Sequence, residues 1–343
     1  MITTDTRALE ASGLRKSYGD TVALDGIDLA VGEGTIFALL GPNGAGKTTT
    51  VQILSTLIGA DAGEVRIAGH DPSREPQAVR EVIGVTGQSV AVDTLLTGEE
   101  NLMLMADLCH LDRDEGRRLT TELLERFELD DVAAKPVVTY SGGMRRRLDL
   151  AMTLVGHPRI IFLDEPTAGL DPRSRRTMWR IVRDLVARGV TVFLTTHYLE
   201  EADQLADRVA VLDHGRLIAE GTPEELKRMI PGGHVRLRFA DRLALDSAAR
   251  VLPGSIRDDD ALTLQVPSDG DVEALRDLLE RLHRASVGVE QFSLHTPDLD
   301  DVFLALTERT EGGSLPCALT PTRSGTRPRC CDAISGARCD THR

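Results

Sequence analysis

The chain has 343 residues, 41% of them hydrophobic and only 3% aromatic, so length allows one large domain plus a small one, with cores built mainly from aliphatic side chains. The formal net charge of −14 argues against a nucleic-acid partner, which normally meets a basic surface. No run of 18 apolar residues exists to span a bilayer, the first residues lack a basic start followed by an apolar stretch, and four of the five cysteines crowd into the last thirty residues, leaving Cys109 without a pair for a disulfide framework.

Residues 8–40 read as strands: Leu14–Ser17, Val22–Val31 and the apolar run Thr35–Leu40. A Gly-rich turn and a helix from Lys47 to Leu57 follow, then strands at Glu64–Ile67 and Val82–Thr86. Residues 93–157 change to helical spacing, as in Leu119, Leu123, Leu124 and Phe127. Strand and helix then alternate through Arg159–Leu163, Arg173–Ala187, Val190–Thr195, Leu199–Leu205 and Arg208–Asp213. Alternation of this kind predicts a mainly parallel sheet with helices on both faces. Pro231-Gly232-Gly233 marks a boundary, and residues 235–310 show a βαββαβ order that predicts a small ferredoxin-like α+β domain. Residues 311–343, rich in Gly, Pro, Ser, Thr and Arg, read as a disordered tail. Cys330-Cys331 within it lack the His/Cys spacing of a zinc site.

Gly41-Pro42-Asn43-Gly44-Ala45-Gly46-Lys47-Thr48 fits the P-loop pattern in full, between an apolar strand and a helix. Glycines let the backbone curl so that several N–H groups face one anion, and the helix start adds its positive end. Lys47 would meet the β- and γ-phosphates of a nucleoside triphosphate, Thr48 would hold Mg²⁺, and Thr49 extends the cradle into the helix. Downstream, Ile160-Ile161-Phe162-Leu163 reads as a buried strand with Asp164 and Glu165 at its C-terminal end, the edge where ligands bind in open α/β sheets. Asp164 suits the Mg²⁺ shell, and Glu165 suits orienting and deprotonating an attacking water.

Tyr140-Ser141-Gly142-Gly143-Met144 resembles the signature of the ABC ATPases, with Met144 where that family usually has Gln. The resemblance covers residues 8–230, the ABC ATP-binding domain, with residues 93–157 as its helical subdomain. It implies a P-loop NTPase fold with an antiparallel β subdomain. It assigns Tyr18 to stacking on adenine and Gln88 to sensing Mg²⁺ and water. Asp171 falls in the D-loop, and His197 would contact the γ-phosphate. Ser141, Gly142 and Gly143 would cover an ATP held on the P-loop of a second copy, in a head-to-tail homodimer. Arg145-Arg146-Arg147 reads as a solvated helix face rather than a nucleic-acid contact.

Longer stretches, YSGGMRRRLDLA, LDEPTAGLDPRSR, TTHYLEEADQLADR and SLHTPDLDDVFLALT, are similar to the ATP-binding subunits of bacterial daunorubicin/doxorubicin resistance exporters. That resemblance implies ATP and Mg²⁺ as cofactors, a separate integral-membrane permease as partner, and a peripheral place on the cytoplasmic face of the membrane. A soluble regulatory ATPase and an energising subunit for another cargo, such as a lipid, are the alternatives.

Overall fold

The structure is a computed structural model that describes residues 7–229, 233–268, 272–295 and 298–311. The predicted disordered tail beyond 311, its cysteines, and Pro231 and Gly232 of the predicted boundary lie outside the described residues.

The chain opens with a long hairpin, β1 (Arg7–Tyr18) and β2 (Thr21–Gly32), turning at Gly19-Asp20. Next come β3 (Ile36–Leu40), α1 (Lys47–Leu54), β4 (Ala62–Ile67), α2 (Pro76–Val82) and β5 (Ile83–Thr86). The arm follows with α3 (Gly98–Leu108), α4 (Arg113–Arg126) and α5 (Gly142–Thr153). The chain returns through β6 (Ile160–Asp164), α6 (Pro172–Ala187), β7 (Thr191–Thr196), α7 (Leu199–Leu205), β8 (Arg208–Asp213), β9 (Arg216–Gly221) and α8 (Pro223–Arg228). The C-terminal segment comprises β10 (His234–Arg238), α9 (Arg242–Val251), β11 (Ile256–Asp258), β12 (Thr263–Pro267), α10 (Val272–Arg284), β13 (Gln291–His295) and α11 (Leu299–Glu311).

Among the described residues the strands form three sheets. The central one has the order β5-β6-β7-β3-β8-β9, parallel except for the antiparallel edge strand β9. Its inner strands are apolar runs because both faces are covered: β3, β6 and β7 are buried at every residue. The second sheet, β2-β1-β4, is antiparallel. It packs Leu9, Leu14, Ile27 and Leu29 against Phe37, Phe162 and Phe193 on one face of the central sheet. The other face is covered by the arm and α6, through Leu102, Leu123, Phe127, Leu148, Trp179 and Val182.

The third sheet has the order β11-β12-β10-β13, all antiparallel, the strand order of a ferredoxin-like unit. Its core is small: Val235, Leu237, Phe239, Leu245, Leu264, Leu278 and Leu282. α11 behaves differently. Its Leu299 and Val302 are buried in the core of the large unit, and the helix packs on α7 and α8 rather than on the third sheet. Among the described residues no helix is long and apolar enough to cross a membrane.

Helix ends follow their caps. Thr97 and Glu100 form a capping box at the start of α3. Asp171 accepts from the backbone N–H groups of Arg173 and Ser174, and Pro172 opens α6. Three elements carry too little pattern to be predicted: α2, with only Val79 buried, the half-buried edge strand β9, and the six-residue α8.

Candidate functional site

Three adjacent parallel strands end together. In register, Asp164 of β6 lies beside Thr195 of β7, and Thr196 beside Leu40 of β3. The chain leaving β3 at Gly41 therefore starts the P-loop next to the acidic pair and next to the segment leading to His197. The Gly41 N–H donates to the Thr196 carbonyl at 3.3 Å.

The P-loop has little room for side chains. A Cβ on Gly41 would meet the Leu212 carbonyl oxygen at 2.2 Å. At Gly46, where φ is +110°, an added Cβ would lie 2.6 Å from the Ala23 carbonyl oxygen, so the β1–β2 hairpin sits close against the loop. Asn43 and Gly44 are exposed at the tip, Ala45 is buried under it, and Thr49 is half-buried in the first turn of α1. Lys47 is 5% exposed; its Nζ donates to the carbonyls of Gly41 and Pro42 at 2.8 and 3.0 Å and lies 3.7 Å from Glu165 Oε1. Burial pushes the ammonium below its usual range, and the neighbouring Glu165 and Asp164 carboxylates pull it back up.

The oxygen donors meet beneath Lys47. Thr48 Oγ1 donates to Asp164 Oδ2 at 3.0 Å, and Gln88 Nε2 donates to Thr48 Oγ1 at 3.2 Å. Thr195 Oγ1 donates to the other oxygen, Asp164 Oδ1, which fixes the carboxylate. A hydroxyl, an amide and a carboxylate within hydrogen-bond reach of one another form a hard-oxygen set that suits Mg²⁺ completed by phosphate oxygens.

Glu165 follows at φ +50°, left-handed backbone that costs a non-glycine residue about 1–3 kcal/mol. Its N–H is shared by the carbonyl and hydroxyl oxygens of Thr195, each at 3.1 Å. The turn swings the carboxylate out of the strand direction, so Oε1 lies 3.1 Å from His197 Nδ1 as well as near Lys47. Lys47, Thr48, Gln88, Asp164, Glu165 and His197 thus form one group. Tyr18 stands half-exposed at the end of β1, with Lys16 Nζ 5.7 Å from its ring centroid.

The remaining candidates gather around the start of α5. Ser141 is its N-cap, accepting from the Met144 N–H at 3.2 Å. Gly143 is buried against α6, where an added Cβ would lie 2.6 Å from Ser174 Oγ. Ser174 Oγ in turn donates to Asp171 Oδ2 at 2.6 Å. Signature and D-loop residues are therefore packed together within one chain. Met144 is half-buried and packs against the hydrophobic core that joins the arm, α6 and the central sheet.

The arginine run corrects its sequence reading. It is not a solvated face. Arg145 donates to the carbonyls of Val137 and Val138, and Arg147 to that of Phe127. Arg146 is 6% exposed and donates to the carbonyls of Gly87, Asp164, Glu165 and Pro166. Sequence reasoning also passed over Thr195 and Glu201. Glu201 is fully buried, accepting from Thr167 Oγ1 at 2.8 Å and Trp179 Nε1 at 3.0 Å. The one available signal was phase: Arg146 lies three residues after buried Gly143 and four before buried Leu150, on the inward side of α5.

Residues 24–168 match the ABC transporter family model, and residues 221–307 match the C-terminal domain of DrrA1-3-like ATP-binding proteins. A daunorubicin resistance ATP-binding protein of Streptomyces coeruleorubidus is 50% identical over 90% of this chain and 97% of its own length. This chain belongs to the ATP-binding subunits of the ABC transporter family. A daunorubicin/doxorubicin resistance ATP-binding protein of Streptomyces peucetius is likewise 50% identical, covering 90% of this chain and 94% of that one. Among solved structures, a dimeric ATP-binding cassette in a post-hydrolysis state with ADP and Pi is 28% identical, with a TM-score of 0.57 over 62% of this chain and 98% of that one. The family is one of ATP-hydrolysing cassettes.

Proposed function

We propose that this chain hydrolyses ATP to power an exporter of drugs or hydrophobic natural products, as a head-to-tail homodimer bound to a separate integral-membrane permease on the cytoplasmic face of the membrane. The observation that carries the reading is the convergence of Lys47, Thr48, Gln88, Asp164, Glu165 and His197 at the ends of β3, β6 and β7. The drug class rests on the two Streptomyces relatives named for daunorubicin and doxorubicin resistance.

Each residue has a task set by its position. Backbone N–H groups of the P-loop and the Lys47 ammonium neutralise the triphosphate. Thr48, Asp164 and Gln88 would hold Mg²⁺, which when bound adds positive charge against the β- and γ-phosphates. The Glu165 carboxylate orients a water in line with the γ-phosphate and draws off its proton. His197, 3.1 Å from that carboxylate, meets the γ-phosphate and fixes the carboxylate's direction. Tyr18 stacks on the adenine. Ser141, Gly142 and Gly143, heading α5, close over the ATP of the second copy, and Asp171 lies at the same face. The exposed apolar residues Leu95, Leu104 and Leu108 on the arm, beyond Gln88, receive the permease and transmit closure.

The test compares purified wild type and Glu165→Gln for ATPase activity and for size with and without Mg-ATP. Slow hydrolysis by wild type and an ATP-induced dimer of Glu165→Gln are expected. Hydrolysis by Glu165→Gln at the wild-type rate overturns the assignment of the base. A cassette that neither hydrolyses ATP nor dimerises, even with a co-expressed permease, fits a regulatory ATP-binding protein instead.

A further inference from the structure

Arg146 is placed unlike an ordinary helix-surface arginine. It lies on α5, the helix that the signature residues head, yet its guanidinium is buried among backbone carbonyls of two other segments. Nη1 donates to the Gly87 oxygen at 2.6 Å, in the residue just before Gln88. Nη2 donates to the oxygens of Asp164 and Glu165 at 2.9 and 3.2 Å, and Nε to that of Pro166 at 3.1 Å. All three nitrogens are therefore spent on chain that carries Gln88, Asp164 and Glu165. One turn further along α5, Asp149 Oδ1 accepts from the Ala91 N–H at 2.9 Å, and Oδ2 lies 3.6 Å from Arg146 Nη1. Two side chains of one helix thus grip the segment 87–91 at both ends.

We infer that Arg146 is a positioning residue for ATP hydrolysis: it locks the left-handed turn at Glu165 and the start of the Gln88 segment to α5, so that the helix headed by the signature residues and the water-activating group move as one unit. The chemistry of the group fits this role. The guanidinium is planar, rigid and permanently charged, and its donors fan out to several acceptors at once. A lysine ammonium is a point charge on a flexible stem and cannot span carbonyls on both segments. The Glu165 turn needs such a clamp, since φ +50° is unfavourable for a residue with a side chain. Its N–H is held from one side by Thr195, and its carbonyl from the other by Arg146. With Arg146 gone, the turn keeps the acid but loses the fixed direction of its carboxylate. Arg146 itself touches neither phosphate nor Mg²⁺ in this scheme. Its loss therefore slows the chemical step without weakening nucleotide binding.

The inference rests on the proposed roles of Glu165 and Gln88, so those residues are tested beside it. Full-length wild type, Arg146→Lys, Arg146→Gln, Glu165→Gln and Gln88→Ala are compared for the number of Mg-ATP sites, Kd, KM and kcat per bound nucleotide. Arg146→Lys should keep the stoichiometry and hold Kd within about threefold, while kcat per site falls at least about tenfold. Arg146→Gln keeps two donors in a neutral side chain and serves if the lysine variant fails to fold. Combining Arg146→Lys with Gln88→Ala should cost less in kcat than the product of the single effects, because both act through one segment. Wild-type kcat in Arg146→Lys, or a fall that only mirrors lost binding sites, overturns the inference while leaving a silent Glu165→Gln intact. Full hydrolysis by Glu165→Gln overturns the reading of the site itself, and the inference with it.

Discussion

The Glu165 carboxylate lies 3.1 Å from Nδ1 of His197, close enough for an ion pair but without the alignment of a hydrogen bond. The imidazole packs on the Tyr198 ring, with centroids 4.1 Å apart, which keeps Nδ1 beside the acid. His197→Ala should therefore retain ATP binding and lower kcat by about 10²-fold or more, the range of a positioned proton-transfer partner. Steady-state ATPase assays beside equilibrium ATP binding separate the two effects. A variant that binds ATP poorly but hydrolyses it at full rate would place His197 in binding instead.

Lys47 is held by two carbonyls of its own loop. Lys47→Ala removes the ammonium from the phosphates and leaves the Gly41 and Pro42 oxygens without that donor. A charge-assisted hydrogen bond contributes about 1.5–3 kcal/mol, so ATP affinity should fall roughly ten- to a hundredfold. Titration with a fluorescent ATP analogue measures the loss, and unchanged affinity would remove Lys47 from the phosphate site.

The convergence of the candidate site was legible because most of its parts sit in short local motifs. An apolar run followed by a polar motif places Gly41 after β3 and Asp164 after β6, and strand ends in a parallel sheet lie side by side. What escaped notice depends on distant chain. Nothing within Arg145-Arg146-Arg147 says that carbonyls from residues 87 and 164–166 will close around its middle member. Helical phase alone put Arg146 inward, and its charge argued the other way. Thr195 was hidden for a similar reason: its role comes from lying opposite Asp164 in register, which only strand pairing reveals. The short α2 and α8 carry one and two buried residues, too few to set a period.

Gly143 is buried where the signature helix meets α6, and an added methyl would sit 2.6 Å from Ser174 Oγ and 2.8 Å from its Cβ. Gly143→Ala should lower the thermal midpoint and the ATPase rate together, by pushing the two helices apart. Ser174→Gly deletes the clashing atoms, so the double variant should recover stability relative to Gly143→Ala alone. Thermal melts of the four proteins decide this. Strictly additive losses would mean that the contact is not where the strain lies.

Met144 stands where the family usually has Gln, and its side chain packs against the hydrophobic core. Met144→Gln exchanges that apolar contact for a polar group in the first turn of α5. The Ser141 cap and the glycines remain, so ATPase activity should stay within about tenfold, a barrier change of roughly 1.4 kcal/mol. Complete loss of turnover in a folded variant would show that the thioether itself is required.

Glu201 supplies a pH dependence whose sign can be worked out. The carboxyl is fully buried, Oε1 receives Thr167 and Trp179, and Oε2 is buried with no hydrogen-bond partner. Burial raises its pKa above the ordinary 4.5, against the opposing pull of the nearby Thr196 hydroxyl, of those two donors and of Arg175. Between 4.5 and the raised folded value, the folded protein holds the proton and the unfolded chain has released it. The folded state then binds more protons, so this group's contribution to stability declines as pH rises through that window. Glu201→Gln keeps an oxygen for Thr167 and Trp179 but cannot ionise. The midpoint of the variant should therefore gain on wild type as pH increases from 4.5. Thermal melts over a pH series measure the difference. A gap between the two proteins that stays constant with pH, or that widens as pH falls, would mean that Glu201 is ionised in the folded protein throughout.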